Sequence, residues 1–147
     1  MESTDYDDYD LIEFREAIME FDAVYARFAK NCGLSETEYW SLLLISEGIV
    51  TQSEISEKLS LSRQTLNSAF KQLIKKGLVH LEILENNQRF KKAMLTKEGQ
   101  CFVDKNITQM HRLEEKAWKS MEEKERIMIT GLIRKYSNLI EETLQKE

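Results

Sequence analysis

One stretch of the chain, between Thr51 and Thr96, constrains the fold more than any other. It opens with two segments whose apolar residues recur every three to four positions, which is the spacing of amphipathic helices. A tight break at Ser60 and Leu61 separates the two segments. After Gly77 the apolar period shortens to two, and two strand-like runs flank a polar turn at positions 85–89. The stretch therefore predicts two short helices followed by a β-hairpin.

Capping signals mark where these helices begin. Ser35 with Glu38 has the spacing of a capping box, and Thr51 with Glu54 repeats it. Ser62 is the predicted N-cap of the longer helix of the pair, which Gly77 closes. That helix has a predicted inward apolar face, formed by Leu66, Ala69, Phe70, Leu73 and Ile74.

Charge is distributed unevenly along the chain. Residues 58–97 hold nine Lys or Arg against two acidic residues, a net charge of +7. Since the whole chain carries -5, the remaining residues carry -12. A basic patch on an acidic protein provides the positive potential that phosphate binding requires. Together with the order of elements, this charge predicts a winged helix-turn-helix that binds duplex DNA.

The helix after the break is the predicted recognition helix. If its apolar residues face the core, its polar residues are left for the DNA groove: Arg63, Gln64, Thr65, Asn67, Ser68, Lys71 and Gln72. Gln and Asn pair with adenine edges, Arg pairs with guanine, and Ser and Thr reach phosphates or a thymine methyl group. Lys75 and Lys76 are predicted to neutralise phosphates rather than to read bases. The alternative is an ordinary solvated helix face.

Further DNA contacts are predicted on either side of this helix. Arg89, at the hairpin tip, is expected to enter the minor groove, where the potential is most negative. Alternatively, it forms a turn salt bridge with Glu85. The remaining contacts are expected with phosphates, from Lys91 and Lys92 beside the tip and from Gln52 and Ser53 at the start of the preceding helix.

Amphipathic helices flank the predicted module. Between Tyr9 and Cys32 apolar residues alternate at spacings of three and four, and a long helix from Thr96 to about Ser120 precedes a final one from Glu122 to Leu144. We expect these faces to form a homodimer. The predicted fold is mainly α with a small β-hairpin wing. It comprises an acidic tail and dimerisation helix (1–33), the winged helix-turn-helix (34–97) and C-terminal dimerisation helices (98–147), all within a single domain.

Other classes of function find little support. The two histidines, His80 and His111, accompany no catalytic motif, so we expect neither an enzyme nor a cofactor. His111 with Glu115 supplies two ligands at most, so no metal site is expected. The N-terminus lacks the charge of a signal peptide, and no apolar run approaches a membrane span. With Cys32 and Cys101 interpreted as reduced thiols, we expect a cytoplasmic protein that does not contact membranes.

The sequence resembles the MarR family of winged-helix regulators. The similarity covers Leu34 to Gly99 in three strings: LSETEYWSLLLI, TQSEISEKLSLSRQTLNSAFKQLIKKGLV and NQRFKKAMLTKEG. It implies a homodimeric transcriptional repressor on a short palindromic operator, in which a small ligand or an oxidant changes the spacing of the two reading heads. Two positions depart from the family pattern: Asn87 replaces an Asp that braces the wing, and His80 replaces a charged residue.

The same resemblance implies where an effector would bind. The positions that match the family's ligand pocket are Tyr25, Phe28, Tyr39 and Trp40, for which plain core packing is the alternative. The family's redox-sensing branch uses a cysteine near the start of the first helix, a position that neither Cys32 nor Cys101 occupies. Lys30 is the predicted source of positive charge for Cys32. A thiol-based regulator and a winged-helix module that binds protein instead of DNA remain the alternative functions.

Overall fold

The computed structural model describes residues 9–83 and 91–147. The elements in chain order are α1 (Tyr9–Asn31), α2 (Glu36–Ser46), α3 (Gln52–Leu59), α4 (Arg63–Lys75), β1 (Val79–Ile83), β2 (Lys91–Leu95), α5 (Lys97–Phe102), a π-helical turn (Val103–Ile107), α6 (Thr108–Ser120) and α7 (Glu123–Gln145). The two strands form an antiparallel hairpin. The predicted fold class, mainly α with a small β-hairpin wing, is confirmed.

Where we predicted one long helix from Thr96 to Ser120, the prediction is wrong in detail. The π-helical turn Val103–Ile107 interrupts it, so that α5 and α6 are separate elements. Val103 and Ile107, at the two ends of the turn, are both buried. A π-helical turn contains one extra residue. Over so few turns, that residue does not visibly change the 3.6-residue spacing of the apolar positions, so the sequence pattern could not predict it.

The chain divides into two compact units, Met1–Ile107 and Thr108–Glu147. The core of the first unit lies where α2, α3, α4 and the hairpin meet. Leu66, Phe70 and Leu73 of α4 are at most 1% exposed, and each such side chain contributes roughly 1.5–3 kcal/mol by its burial. The prediction for Ile74 is wrong, because its side chain is 42% exposed and does not face the core. It lies about 100° around the helix from Leu73, beyond the edge of the buried arc.

The predicted caps form, one of them only in part. Ser35 and Glu38 make the full capping box, with the Ser35 amide donating to Glu38 Oε2 over 2.8 Å. Thr51 accepts from the Glu54 amide at 3.2 Å without a reciprocal bond among the described residues, so that box is half complete. Between α3 and α4 the chain turns sharply because Ser60 adopts a left-handed conformation, with φ of 52°.

The hairpin is joined to both helices that flank it. In its register Glu82 faces Lys92 and Val79 faces Leu95. The Ala93 amide donates to Val50 O over 2.8 Å, and Thr51 forms a bridge with Lys92, so the start of α3 lies beside β2. These bonds fix the position of the wing relative to α3.

The second unit exposes an unusual amount of apolar surface. None of the 23 residues of α7, all of which are described, is buried. The exposed apolar residues recur along one side, which we call the α7 stripe: Ile129, Leu132, Ile133, Tyr136, Leu139, Ile140 and Leu144. In the first unit, α1 also exposes Phe14 and Phe21. Across residues 9–83 and 91–147, no helix has the length and apolar character needed to cross a membrane.

Candidate nucleic-acid interface

The outer face of α4 presents every polar residue predicted there. Arg63, Gln64, Thr65, Asn67, Ser68, Lys71 and Gln72 are all exposed. Their orientation follows from the opposite face of the helix, which buries Leu66, Phe70 and Leu73 in the core. A helix fixed on one side by a packed core presents its polar side chains from a rigid support. Contact of these residues with DNA stays a prediction.

Three hydroxyl groups in the first turns of α4 and at its N-cap are already engaged in local hydrogen bonds. The Ser62 and Thr65 hydroxyls lie 2.8 Å apart, and the Ser68 hydroxyl donates to Gln64 O over 3.2 Å. These bonds stabilise the first turns of α4. The side chains of Gln64, Asn67 and Lys71 make no such bond to any described residue. Their two amides and one ammonium group are therefore available to contact the edges of bases.

A second group of predicted residues lies at the junction of α3 and β2. Ser53 and Lys91 are exposed, while Gln52 and Lys92 are half-buried. The bridge between Thr51 and Lys92 brings the two elements together. Glu82 faces Lys92 across the hairpin and lies 3.2 Å from the His80 ring, so its carboxylate offsets part of the positive charge there. Of Lys91 and Lys92, Lys91 is therefore the lysine whose positive charge is less offset by Glu82.

Arg89, the predicted minor-groove residue, lies outside the described residues, as do Glu85 and Asn87. The predicted contact of the hairpin tip with DNA and the neutral brace at Asn87 stay predictions. The described strands on either side show only that the chain returns to β2 at Lys91.

Lys76 makes an ion pair that the sequence did not predict. Its Nζ lies 2.6 Å from Glu38 Oε1 and donates to Gly33 O over 3.3 Å. The Glu38 side chain is only 7% exposed. Burial alone would raise the pKa of the Glu38 carboxyl, but hydrogen bonds from Lys76 and Ser35 outweigh burial and hold that pKa below 4.5. The pair joins the start of α2 to the end of α4.

We expect Glu38→Gln to destabilise the protein by about 2 kcal/mol at neutral pH, because a buried carboxylate that accepts from Lys76 and from the Ser35 amide is lost. Since the folded-state pKa of Glu38 is depressed, its ionisation stabilises the fold above the ordinary value of 4.5. That stability is lost as the pH falls through the folded-state pKa. The gap between wild type and variant in urea unfolding should therefore be smaller in acid, below pH 4.5, than at neutral pH.

Glu57→Gln is the matched control for this prediction, because Glu57 is exposed on α3 and makes no ion pair among the described residues. Its effect should stay within about 0.5 kcal/mol at either pH. An equal loss of stability in both variants would mean that the ion pair does not hold α2 to α4.

The residues predicted to bind an effector form an aromatic cluster. The Tyr25 ring lies 5.5 Å from Trp40 and 6.1 Å from Phe28, and Tyr39 lies 5.5 Å from Trp40. Tyr39 is 1% exposed, which is the burial of a core residue. The other three are half-buried and remain accessible from one side. Ligand binding at this cluster stays a prediction.

Cys32 has the properties of an unreactive thiol. It is half-buried and donates to Ala29 O over 3.3 Å. Burial raises the pKa of the thiol above 9.0, and backbone hydrogen bonds and the charge of Lys76 offset that rise only in part. The positive charge that acts on the Cys32 thiol is thus that of Lys76, whereas the sequence predicted Lys30. A thiol that stays protonated at neutral pH is a poor nucleophile, which argues against redox sensing at this residue.

The histidine considered as a metal ligand has a different partner from the one expected. His111 Nδ1 lies 3.2 Å from Glu114, while Glu115 pairs with Lys119 at 2.5 Å. Within the two described ranges, no group of three or more His, Cys, Asp or Glu side chains could hold a metal ion.

Comparisons with known proteins agree with this geometry. A MarR family model matches residues 33–89. A MarR family regulator from Neisseria meningitidis has a similar structure, with a TM-score of 0.79 and 20% identity over 93% of this chain and 97% of that one. The S. aureus MepR–DNA complex gives a TM-score of 0.69 and 17% identity over 88% and 96%. The M. tuberculosis regulator MOSR, also solved with DNA, gives 0.60 and 22% over 88% and 96%. No curated protein is significantly similar in sequence.

Proposed function

We propose that this protein is a sequence-specific DNA-binding transcriptional regulator, because a MarR family model matches residues 33–89. It acts as a homodimer on a palindromic operator, represses transcription there and is released by a small ligand. The exposed polar face of α4 carries the proposal, because its amides and cations stand on a helix that the core holds rigidly. Two regulators of similar fold, MepR and MOSR, were solved as DNA complexes.

Recognition divides between two kinds of contact. Gln64 and Asn67 on α4 pair with base edges in the major groove, where bidentate amides distinguish adenine. Arg63 pairs with guanine, while Lys71 and Lys91 bind phosphates and fix the position of α4 on the duplex. The amide groups at the start of α3 add a further phosphate contact beside Lys92. The basic segment supplies affinity, and the amides supply sequence preference.

The exposed α7 stripe supports the homodimer. A helix that leaves seven large apolar residues in water is unfavourable by roughly 25 cal/mol for each Å² of apolar surface. Large exposed apolar patches commonly mark protein interfaces. A second copy of this chain can cover the stripe with its own, as a two-fold interface requires. Two α4 helices related by a two-fold axis read two inverted half-sites, which makes the operator palindromic.

The ligand in this proposal binds at the aromatic cluster around Trp40. Its rings are held at 5.5–6.1 Å from one another, and three of them remain partly accessible. Trp40 is on α2, which packs against α4, so a change at the cluster can reach the recognition helix. The pair between Glu38 and Lys76 is a second link between the same two helices.

We expect Asn67→Ala to change which sequences the protein prefers, because loss of one bidentate pair removes about 1–3 kcal/mol of discrimination at one base. Lys71→Ala should instead weaken binding to all sequences alike and reduce the salt slope by about 0.9. Selection from a random DNA pool, followed by salt titrations of the selected duplex, measures both effects.

Gln109→Ala, an exposed amide on α6, is the matched control for that experiment and should leave the selected sequence and the salt slope unchanged. A flat salt response of the wild-type protein would instead favour the module that binds protein. An unchanged preference in Asn67→Ala would remove this residue from base recognition.

A further inference from the structure

The side chain of Thr65 is held by the N-cap of α4. The Thr65 amide donates to Ser62 Oγ over 3.1 Å, and the two hydroxyl oxygens lie 2.8 Å apart, so that one hydroxyl donates to the other. Because Ser62 lies on the N-terminal side of Thr65, this hydrogen bond directs the Thr65 hydroxyl toward the cap. In a staggered side chain the methyl group then occupies a different position on Cβ. The cap therefore engages the hydroxyl group of Thr65 and leaves its methyl group free.

That methyl group is unusual on the outer face of α4. Thr65 is exposed, although its hydroxyl is engaged. Of the exposed polar residues of α4, all of which are described, Thr65 alone carries a methyl group. Ser68, the other hydroxyl residue of the helix, donates to Gln64 O over 3.2 Å and has no methyl group to offer. Thr65 thus adds an apolar group to a face of amides and cations.

The position of Thr65 on the helix suits contact with the edge of a base pair. With about 100° per residue, Gln64 points almost directly away from the buried residues of α4, whereas Thr65 lies about 90° to one side. An α-helix is about as wide as the major groove, roughly 10–12 Å, so the sides of a helix seated there lie near the outer edges of the base pairs. On an A·T pair, the C5-methyl group of thymine lies at such an edge, beyond O4.

An exposed threonine on a recognition helix has two contacts open to it, a phosphate through its hydroxyl or a thymine through its methyl group. The bond to Ser62 favours the second. We propose that Thr65 recognises one thymine in each half-site of the operator, through contact of its methyl group with the C5-methyl group of the base. This inference rests on the proposed DNA binding and deepens it, since it names a base and the group that identifies it. The contact is apolar and contributes nothing to the salt dependence.

Deoxyuridine provides the test, because it differs from thymidine only in lacking the C5-methyl group. In the duplex selected from a random pool, each thymine is replaced in turn, together with its symmetry mate in the other half-site. Removal of one buried methyl contact should weaken binding about fourfold, so the paired replacement at the recognised position should weaken it about fifteenfold. Fluorescence anisotropy titrations measure the dissociation constants.

Thr65→Ser removes the methyl group and keeps the hydroxyl that the cap uses. This variant should bind the thymine and deoxyuridine duplexes equally at the recognised position, with an unchanged salt slope and unchanged stability. Thr65→Val keeps a methyl group and should still prefer thymine. Thr130→Ser makes the same change on α7, at an exposed threonine whose hydroxyl donates to Arg126 O over 3.0 Å, and should behave as wild type.

Three results would overturn the proposal. Thr65→Ser could still distinguish thymine from deoxyuridine at every position where the wild type does. The wild type could bind equally well after every thymine replacement. Thr65→Val could lose affinity for all sequences alike while Thr65→Ser does not, which would assign the hydroxyl to a phosphate. Failure of the proposed function is a separate result, because the wild type would then select no sequence from the random pool, and the role of Thr65 would be refuted with it.

Discussion

Gly99→Ala is expected to lower the free energy of unfolding by about 3–5 kcal/mol, a large part of the total stability of a small protein. A Cβ atom on Gly99 would lie 1.9 Å from Leu78 O and 2.9 Å from Leu78 C. Both are backbone atoms, so no side chain can rotate to make room. The first turn of α5 would have to separate from the start of the hairpin.

The contacts around Gly99 make that separation costly. The Thr96 amide donates to Leu78 O over 3.0 Å, and Thr96 Oγ1 accepts from the Gly99 amide at 2.9 Å. The Thr96 hydroxyl also donates to Gly77 O. Moving α5 away would break this network and release the base of β1. The wing should therefore loosen, and DNA affinity should fall with stability.

Urea unfolding followed by circular dichroism measures the loss, and Gly131→Ala is the matched control. Gly131 lies inside α7, where a Cβ would meet no atom within 4 Å. Alanine there should be neutral or should stabilise the helix by roughly 0.5–1 kcal/mol. If Gly99→Ala unfolded within about 1 kcal/mol of wild type, the close approach of α5 to Leu78 would be wrong.

Ile140→Glu is expected to weaken the proposed homodimer by several kcal/mol, which is at least a hundredfold in its dissociation constant. Ile140 lies in the C-terminal half of the α7 stripe and is 44% exposed. In the proposed dimer this side chain is buried, and a carboxylate at the same position would be buried without a partner. Since one protomer reads only half of a palindrome, operator affinity should fall by a comparable factor.

Sedimentation equilibrium and operator titrations at the same protein concentrations measure the two effects together. Asn138→Glu adds the same charge to an exposed position on the opposite side of α7 and should leave both the dimer and operator binding intact. A dimer of unchanged strength in Ile140→Glu would show that the α7 stripe is not the interface. Weakening of both variants alike would attribute the effect to charge in general.

Local signals in the sequence were sufficient for most of the elements. Ser35, Ser62 and Thr96 cap helices that begin where their spacing predicts, because a cap depends on a hydrogen bond within three residues. The outward face of α4 was also predicted correctly, because the spacing of its apolar residues depends only on positions a few residues apart. Ile74 was misplaced because it lies at the edge of the apolar arc, where the period alone does not decide burial.

The sequence by itself determined the order of helices and strands, the recognition face and the basic segment, since each depends on residues a few positions apart. Only the tertiary structure decided that Lys76 pairs with Glu38 and that Gly99 lies against Leu78. These features join residues that are distant in the chain. Their chemistry depends on distances in space, which spacing along the chain does not contain.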